Sequence, residues 1–424
     1  MNVTLPIASE SGDSSPPHHP LPGILDVPRE TMRAWLEEHH EPPMRVNQIR
    51  RQILANRATT FEEMSDLPKN LRAELTAHFA LFSTRVERHL TASDGTHKLV
   101  LRLRDDSMIE CVLIQDGGRA TACVSTQVGC GMGCVFCASG INGVVRNLTA
   151  GEIVEQLVRL RNLTPQPPSL VGKGEMDRLS PHTEAAAEGL ATRLNHIVVM
   201  GMGEPLANLE NLLDALAIAG DQNGLGIGQR HVTISTVGLP AKIHKLAEAG
   251  KQYHLAVSLH APNDALRTRI VPTNDKTGIP AILETADAFY DKTGRQVTYE
   301  YVVLGGLNDG PTHAKELAHL LAGRKAHVNL IPWNDVDGLP YRRPADADLR
   351  FLIDTLRKAG VSVKVRKRKG AEIDAACGQL RRQLETDLAG VGRGDSGVGE
   401  LRSSMGTSQT RVLTPYSRLQ TPES

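Results

Sequence analysis

The sequence has no excess of either charge, no long apolar run and few cysteines. Lysine and arginine together number 48, and aspartate and glutamate also number 48. Net charge therefore predicts no nucleic-acid partner, and any basic patch must be local. No apolar run approaches the roughly 20 residues of a membrane-spanning helix. The opening residues, MNVTLPIASE, lack the basic segment followed by an apolar core that marks a secretory signal. A cytoplasmic protein without membrane association is expected. Six cysteines in 424 residues do not make a disulfide scaffold, and a reducing compartment suits thiols that hold a metal.

What the sequence does contain centres on Cys130-Gly-Met-Gly-Cys134-Val-Phe-Cys137. Three thiolates at this spacing can hold three irons of a 4Fe-4S cluster, and the fourth iron then needs another ligand. No fourth cysteine stands nearby: Cys111, Cys123 and Cys377 are spaced wrongly for a ferredoxin run. No histidine lies close enough to complete a zinc knuckle. Three buried structural thiols or a zinc site are the alternatives, and both lack a fourth ligand. An iron without a protein ligand is an open coordination position. In this respect the motif resembles the radical S-adenosylmethionine (AdoMet) superfamily, in which the amino and carboxylate groups of AdoMet chelate that iron.

The remainder divides by composition and periodicity. Residues 1–22 and 383–424 carry Ser, Pro, Gly and Thr without apolar periodicity and read as disordered tails. Between 23 and 85, Met44, Val46, Ile49, Ile53 and Leu54, then Leu67, Leu71, Leu75 and Phe79, recur at helical spacing, with Pro28 and Pro68 suited to first turns. Residues 86–119 alternate as two or three strands, a β-extension. From 120 to 382, β-branched runs at 120–126, 196–200, 231–235, 254–259, 298–304, 327–331 and 361–365 alternate with helical stretches at 151–162, 207–219, 239–249, 279–292, 312–323 and 346–359. Such alternation implies a parallel sheet with right-handed crossovers, and six or seven units suffice for a partial or full barrel. The active site of such a fold is built from the loops after the strands. Residues 163–194 break the rhythm and read as a disordered, dispensable insertion at the opposite face.

Gly201, Gly203 and Glu204 form a strand-to-helix turn where backbone can approach a ligand. Gly224-Leu-Gly-Ile-Gly228 precedes a strand instead of following one, so a dinucleotide fingerprint is rejected. Cys377 follows the run Lys364, Arg366, Lys367, Arg368 and Lys369. Nearby cations favour the nucleophilic thiolate, while such a run also suits a solvated edge or a phosphate contact.

The segments CVSTQVGCGMGCVFC (123–137), GMGEPLAN (201–208), SLHAPND (258–264), NLIPWN (329–334) and RKRKGAEIDAACGQL (366–380) together resemble the dual-specificity adenine-C(2) methyltransferases of 23S rRNA and tRNA. The resemblance runs from about residue 25 to 382 apart from the insertion. It implies an α/β fold, a partial (βα)6-type radical AdoMet barrel with a small helical RNA-binding domain at its N-terminal side, and one 4Fe-4S cluster on Cys130, Cys134 and Cys137. It places AdoMet against Gly203, Glu204, Ser235, Ser258, Leu259, His260 and Asn334. It makes Cys377 the S-methylated residue, Cys123 its disulfide partner and Glu110 a proton acceptor. It further implies two AdoMet per turnover, an external electron donor and disulfide reductant, and a monomer. A related enzyme acting on carbon 8 of the same rRNA adenosine shares these motifs, and a zinc-stabilised RNA-binding module is the non-catalytic alternative.

Overall fold

The chain is described from a computed structural model covering residues 21–165 and 193–380. These belong to one unit, Met1–Gln383, and a second unit, Leu384–Ser424, falls outside the described residues. The expectations for residues 1–20, for 166–192 of the insertion and for 381–424 likewise fall outside them.

Near the N-terminus, three amphipathic helices form where sequence periodicity places them: α1 (Arg29–Glu38), α2 (Arg45–Leu54) and α3 (Lys69–His78). They bury Leu36, Ile49, Ile53, Leu71 and Leu75 against one another and the body of the protein. Pro28 and Pro68 occupy the N-cap positions of α1 and α3, one residue before the expected first turn.

An antiparallel meander follows: β1 (Arg85–Thr91), β2 (His97–Arg102), β3 (Met108–Asp116) and β4 (Arg119–Cys123). Strand β4 then starts a parallel ladder through β7 (His196–Val199), β8 (Val232–Thr236), β9 (His254–Ser258), β10 (Val297–Val303), β11 (Ala326–Pro332) and β12 (Ser362–Val365). The meander and the ladder make one ten-stranded sheet, ending at β1 and β12. All seven β-branched runs become parallel strands, so the parallel part holds seven. Between β4 and β7 lie β5 (Gln127–Gly129) and β6 (Val144–Asn147), a separate antiparallel pair that the sequence did not announce.

Helices α4 (Ala150–Asn162), α5 (Leu209–Ala219), α6 (Pro240–Glu248), α8 (Ile279–Thr293), α9 (Pro311–Leu321) and α10 (Asp346–Lys358) supply the expected crossovers. The short α7 (Asp264–Ile270) is additional. Covered strands read as continuous apolar runs because both faces are buried. Accordingly Met108–Leu113 of β3 are buried without alternation.

Helix α4 ties the parts together. Thr149 and Glu152 close a capping box at its start, and Asp26 Oδ1 accepts from Gly151 N at 2.8 Å. Along the helix, Glu155 accepts from Ser83 N (2.5 Å), Ser83 Oγ (2.7 Å) and Thr84 N (2.9 Å). At its end, Arg161 donates to the carbonyls of Ile53 and Leu54 in α2. Beyond α4, Leu163 and Thr164, and then Leu194 just before β7, lie at the N-terminal end of the ladder. The ends of the insertion are thus on the face opposite the strand C-termini.

The sheet does not close on itself by hydrogen-bonded strands. Instead the segment after β12 crosses the open side. Gly370 N donates to Asp94 Oδ2 (2.9 Å), Ser93 Oγ to Glu372 Oε1 (2.6 Å), Lys98 Nζ to the Asp374 carbonyl (3.2 Å) and Lys369 Nζ to the Gln115 carbonyl (3.4 Å).

Replacing Glu155 with alanine orphans three donors beneath α4. Unmade buried hydrogen bonds of this kind cost about 2–4 kcal/mol in total. Chemical denaturation of Glu155→Ala should show that loss as a lowered midpoint; a midpoint unchanged from wild type would show that water serves these donors.

Candidate active site

The cysteine motif lies in the loop between β5 and β6. Its neck is pinched where Cys130 N donates to the Gly143 carbonyl at 2.9 Å. Gly129 sits at φ +77°, and a Cβ there would lie 2.0 Å from the Gly143 oxygen, so only glycine fits. Three further contacts hold the loop: Val135 N to the Ile270 carbonyl (3.1 Å), Trp333 Nε1 to the Phe136 carbonyl (3.2 Å) and Ala138 N to the Gly378 carbonyl (2.8 Å).

Cys130, Cys134 and Cys137 line one cavity at the C-terminal ends of the strands. Burial pushes the Cys130 thiol up to about 12 and raises Cys134 and Cys137 as well. Three half-buried thiols held together stay protonated unless a metal supplies the compensating charge, and coordination removes those protons. The donor set therefore fits a soft metal centre. Cys377 lines the same cavity, and its charge is felt at Cys137. The fold thus brings near the motif a fourth cysteine that lies 240 positions further along.

The opposite wall carries the turn after β7. Gly203 has φ +103°, and a Cβ there would meet Gln127 Cβ at 2.7 Å. Glu204 is buried with Oε2 accepting from Val237 N (2.9 Å) and Oε1 from Leu206 N (3.0 Å), and desolvation raises its pKa. At the ends of β8 and β9, Ser235 Oγ and Ser258 Oγ face one another at 3.3 Å. His260 takes φ +61°, and its Nδ1 accepts from Val302 N at 3.0 Å. Burial, with Arg267 adding to it, pushes the imidazole down to about 3, so it is neutral. Asn334 Nδ2 donates to the Cys377 carbonyl at 3.1 Å, while its buried Oδ1 has no partner. A buried acceptor left over in a cavity wall is a place for a ligand's N–H or O–H. This wall fits a ligand with amino and hydroxyl donors, as AdoMet has.

The fold brings Gly203, Glu204, Ser235, Ser258, His260 and Asn334 to the cavity that the three cysteines line. Leu259 does not line it: its side chain is fully buried, and its carbonyl accepts from Arg267 Nε at 3.0 Å. Glu110 does not line it either. Its carboxylate is 1% exposed and lies 3.3 Å from Lys98 Nζ, itself 4% exposed. A carboxylate is rarely buried to this degree unless it is paired, and Lys98 is the partner. Cys123 lies outside this cavity and faces a second one that Cys377 also lines.

Sequence reasoning missed the buried Arg267, and it named Arg366 only as one cation in a run. Arg267 donates to the carbonyls of Val237 (2.5 Å), Ser258 (3.0 Å) and Leu259 and to Asn274 Oδ1 (2.6 Å), tying together the loops after β8 and β9. Arg366 lines both cavities beside Cys377 and Glu300, and the charges of Cys377, Glu300 and Cys123 favour its protonated form. Glu300 offered a signal, as the one acid within TYEYVVL. Arg267 offered none. The basic run is now divided: Arg366 points inward, Lys367 and Arg368 are exposed, and Lys369 reaches back to β3.

A cysteine-bearing loop at the mouth of an incomplete parallel barrel defines a radical AdoMet enzyme. Residues 172–318 match the Radical SAM superfamily, and residues 23–81 match the ribosomal RNA large subunit methyltransferase N-terminal domain. The first match begins beyond the cysteine motif, so the loop itself and full-length relatives carry the cluster assignment. The chain is 50% identical over 383 residues to a probable dual-specificity RNA methyltransferase RlmN of Rhodopirellula baltica, covering 90% of this chain and 96% of that one. With the protein of the same description from Bacillus licheniformis it shares 41% identity over 368 residues, 86% of this chain and 96% of the relative. The crystal structure of a radical SAM methyltransferase from Sphaerobacter thermophilus superposes with a TM-score of 0.77 at 38% identity, covering 85% of this chain and 99% of that one. This chain belongs to the RlmN family of dual-specificity RNA methyltransferases. Membership implies a 4Fe-4S cluster and AdoMet.

Iron content separates a three-cysteine from a four-cysteine centre. Anaerobically reconstituted Cys134→Ala should lose most of its iron and its brown absorbance, whereas Cys377→Ala should keep both. Loss of iron in Cys377→Ala would make that thiol a ligand and remove it as methyl acceptor.

Proposed function

We propose that this protein methylates carbon 2 of an adenosine in 23S rRNA and of an adenosine in tRNA, with the methyl group carried first on Cys377. The observation that carries this reading is the position of Cys377. It lies on a strap docked to the cysteine loop through Ala138–Gly378 and Ser139–Leu380, within reach of both cavities and beside the Arg366 guanidinium.

Carbon 2 lies between two ring nitrogens and is too electron-poor to attack a methyl cation equivalent. A carbon radical can add to it. The cluster, with AdoMet bound, supplies the one-electron cleavage that starts radical chemistry. Cys130, Cys134 and Cys137 would hold the cluster; Gly203, Glu204, Ser235, Ser258, His260 and Asn334, with the backbone at Leu259, would position AdoMet.

Cys377 plays two parts. Its thiolate, which would lie beside the Arg366 guanidinium, takes a methyl by polar displacement. Loss of a hydrogen atom from that S-methyl group leaves a carbon radical on Cys377, which adds to carbon 2 and joins protein to RNA. Two AdoMet are consumed per turnover, one for each part. Glu110 then accepts the carbon-2 proton as the adduct gives up its unpaired electron, which the cluster held by the three cysteines would take back. In the described structure Glu110 lies beneath Lys98, which also holds the Asp374 carbonyl, so the 370–376 strap must lift for the carboxylate to reach the base. Cys123 attacks the Cys377 sulfur, forms a disulfide and frees the methylated product, and a reductant resets the pair.

The helical segment 23–85 acts as an accessory RNA-binding region. Lys367 and Arg368, exposed beside the site, are placed for phosphates. The target adenine must leave its stack to reach a barrel interior, which favours loops of rRNA and tRNA. Such an enzyme works in the cytoplasm; we infer a monomer served by an external electron donor.

Cys123→Ala should still accept a methyl on Cys377 but stall as a covalent protein–RNA species, visible as a slow band on denaturing gels. Full turnover by this variant would remove Cys123 from the mechanism. Nucleoside mass spectrometry of treated RNA should show 2-methyladenosine; 8-methyladenosine would assign the carbon-8 reaction instead. RNA affinity should fall by about 0.7–0.9 log units per decade of salt for each phosphate contact, and a flat salt response would remove the basic strap from RNA binding.

A further inference from the structure

We propose that the lumen of the open barrel is a second ligand site, which takes a small anionic thiol that reduces the Cys123–Cys377 disulfide. This rests on the catalytic reading above and names the chemical class of its reductant.

The strands of a full barrel fill their interior with branched apolar side chains. Here the inward positions toward the N-terminal ends of β4, β8, β10 and β11 are Thr121, Thr233, Thr298 and His327, and a cavity of about 460 Å³ remains above them. That volume lies in the range of small-molecule sites, about 300–1,000 Å³.

Access settles which sulfur meets this space. Cys123 is 6% exposed and lines the lumen only, whereas Cys377 lines both the lumen and the cluster cavity. A reductant aimed at the Cys123 sulfur must therefore arrive through the lumen. A folded dithiol protein would have to thread its redox motif into a space of small-molecule size.

Charge settles what kind of thiol fits. Arg119, Arg343, Lys364 and the run Arg366 to Lys369 line the lumen against Glu300 and Asp116; of these, Lys367 and Arg368 are the two already set toward phosphates. A thiol carrying carboxylates is drawn there, and a cationic one is repelled. RNA has less claim on the floor. In the register of β3 on β4, Val112 pairs with Cys123, so Glu110 lies on the side of Cys123 away from Thr121. A base presented to Cys377 and Glu110 has no need of the opposite end.

The chemistry balances with two thiols. One thiolate attacks Cys123 Sγ, the S–S bond breaks and Cys377 leaves as a thiolate beside Arg366. A second thiolate attacks the mixed disulfide, releasing the small disulfide and the Cys123 thiolate, which is reprotonated. Two electrons pass from two thiols to the protein, and the thiol protons are returned to the two cysteines or to solvent.

The test uses full-length reconstituted enzyme after one turnover with RNA. Non-reducing peptide mass spectrometry quantifies the Cys123–Cys377 disulfide; its absence overturns the catalytic reading itself. Where the disulfide is present, its reduction is timed with glutathione, 2-mercaptoethanol and cysteamine at equal thiolate concentration, and with a thioredoxin-type dithiol protein. The expected order is glutathione fastest by about tenfold and cysteamine slowest. Lys364→Gln should slow glutathione about tenfold while leaving the 2-mercaptoethanol rate, an internal control for folding, within twofold. Equal rates for the three thiols, slowing of all three by Lys364→Gln, or a faster reaction with the dithiol protein each overturns the lumen site. So does a product-sequence oligoribonucleotide that blocks glutathione and binds more weakly to Lys364→Gln.

Discussion

An unfinished barrel has an open side, and covering that side is the constraint on which the rest of the structure depends. Strand β12 ends the ladder with an unpaired edge, and β4 is already paired with the β1–β3 meander. Among the described residues no strand is left to join them. The chain solves this with a strap that spans the gap by single hydrogen bonds to Asp94, Ser93, Gln115 and the Lys98 ammonium. A ladder would fix its residues in register and turn alternate side chains away from the interior. Single contacts leave the segment free to bend, and Gly370 and Asp374 in left-handed conformations allow it to turn inward so that Cys377 meets the cysteine loop.

Buried charge marks the places where this arrangement is held most firmly. A guanidinium taken out of water is costly unless its donors are used. Arg267 uses its donors on three carbonyls and Asn274, and burial lowers it only to about 10, so it remains charged at neutral pH. Its charge is felt at Cys134, and it supplies a fixed cation beneath a centre whose thiolates are anionic. Arg366 has the matching position for Cys377 and Cys123, with Glu300 and Asn329 (2.8 Å apart) behind it. Each arginine serves a separate group of sulfurs.

Much of this was legible in the sequence, because its strongest signals are local. Seven β-branched runs mark seven parallel strands, and the crossover helices begin and end within two residues of their expected limits. The cysteine spacing and the glycines of the turn after β7 are also local. What was not legible depends on contacts between distant residues. Glu110 reads as an exposed acid because nothing near it in sequence shows that Lys98 covers it across the β2–β3 pair. The little β5–β6 sheet is two strands of three and four residues, too short to carry a period, and only the fold shows them to be the neck of the cysteine loop. Cys377 falls near Cys137 through the strap, which no periodicity describes. Leu259 illustrates the converse: it sits within a segment that resembles the family closely, yet its side chain points into the core, and only its backbone is left for a ligand.

One strap therefore governs two events that the proposed reaction must keep in order. It carries Cys377, which has to reach AdoMet and then the base, and through the Asp374 carbonyl it closes Lys98 over Glu110. While the strap is seated, Glu110, the acceptor in that proposal, is covered by Lys98. In the proposed reaction a base entering between Cys377 and the sheet would displace the strap, expose Glu110 and break one of the contacts of Lys98 at the same time. Proton removal is then coupled to occupancy, and the adduct cannot be resolved before it has formed. The Cys123 thiol is pushed up to about 12 by burial, so at neutral pH it is protonated. In that proposal, lifting the strap would be the movement that opens the acid–base step.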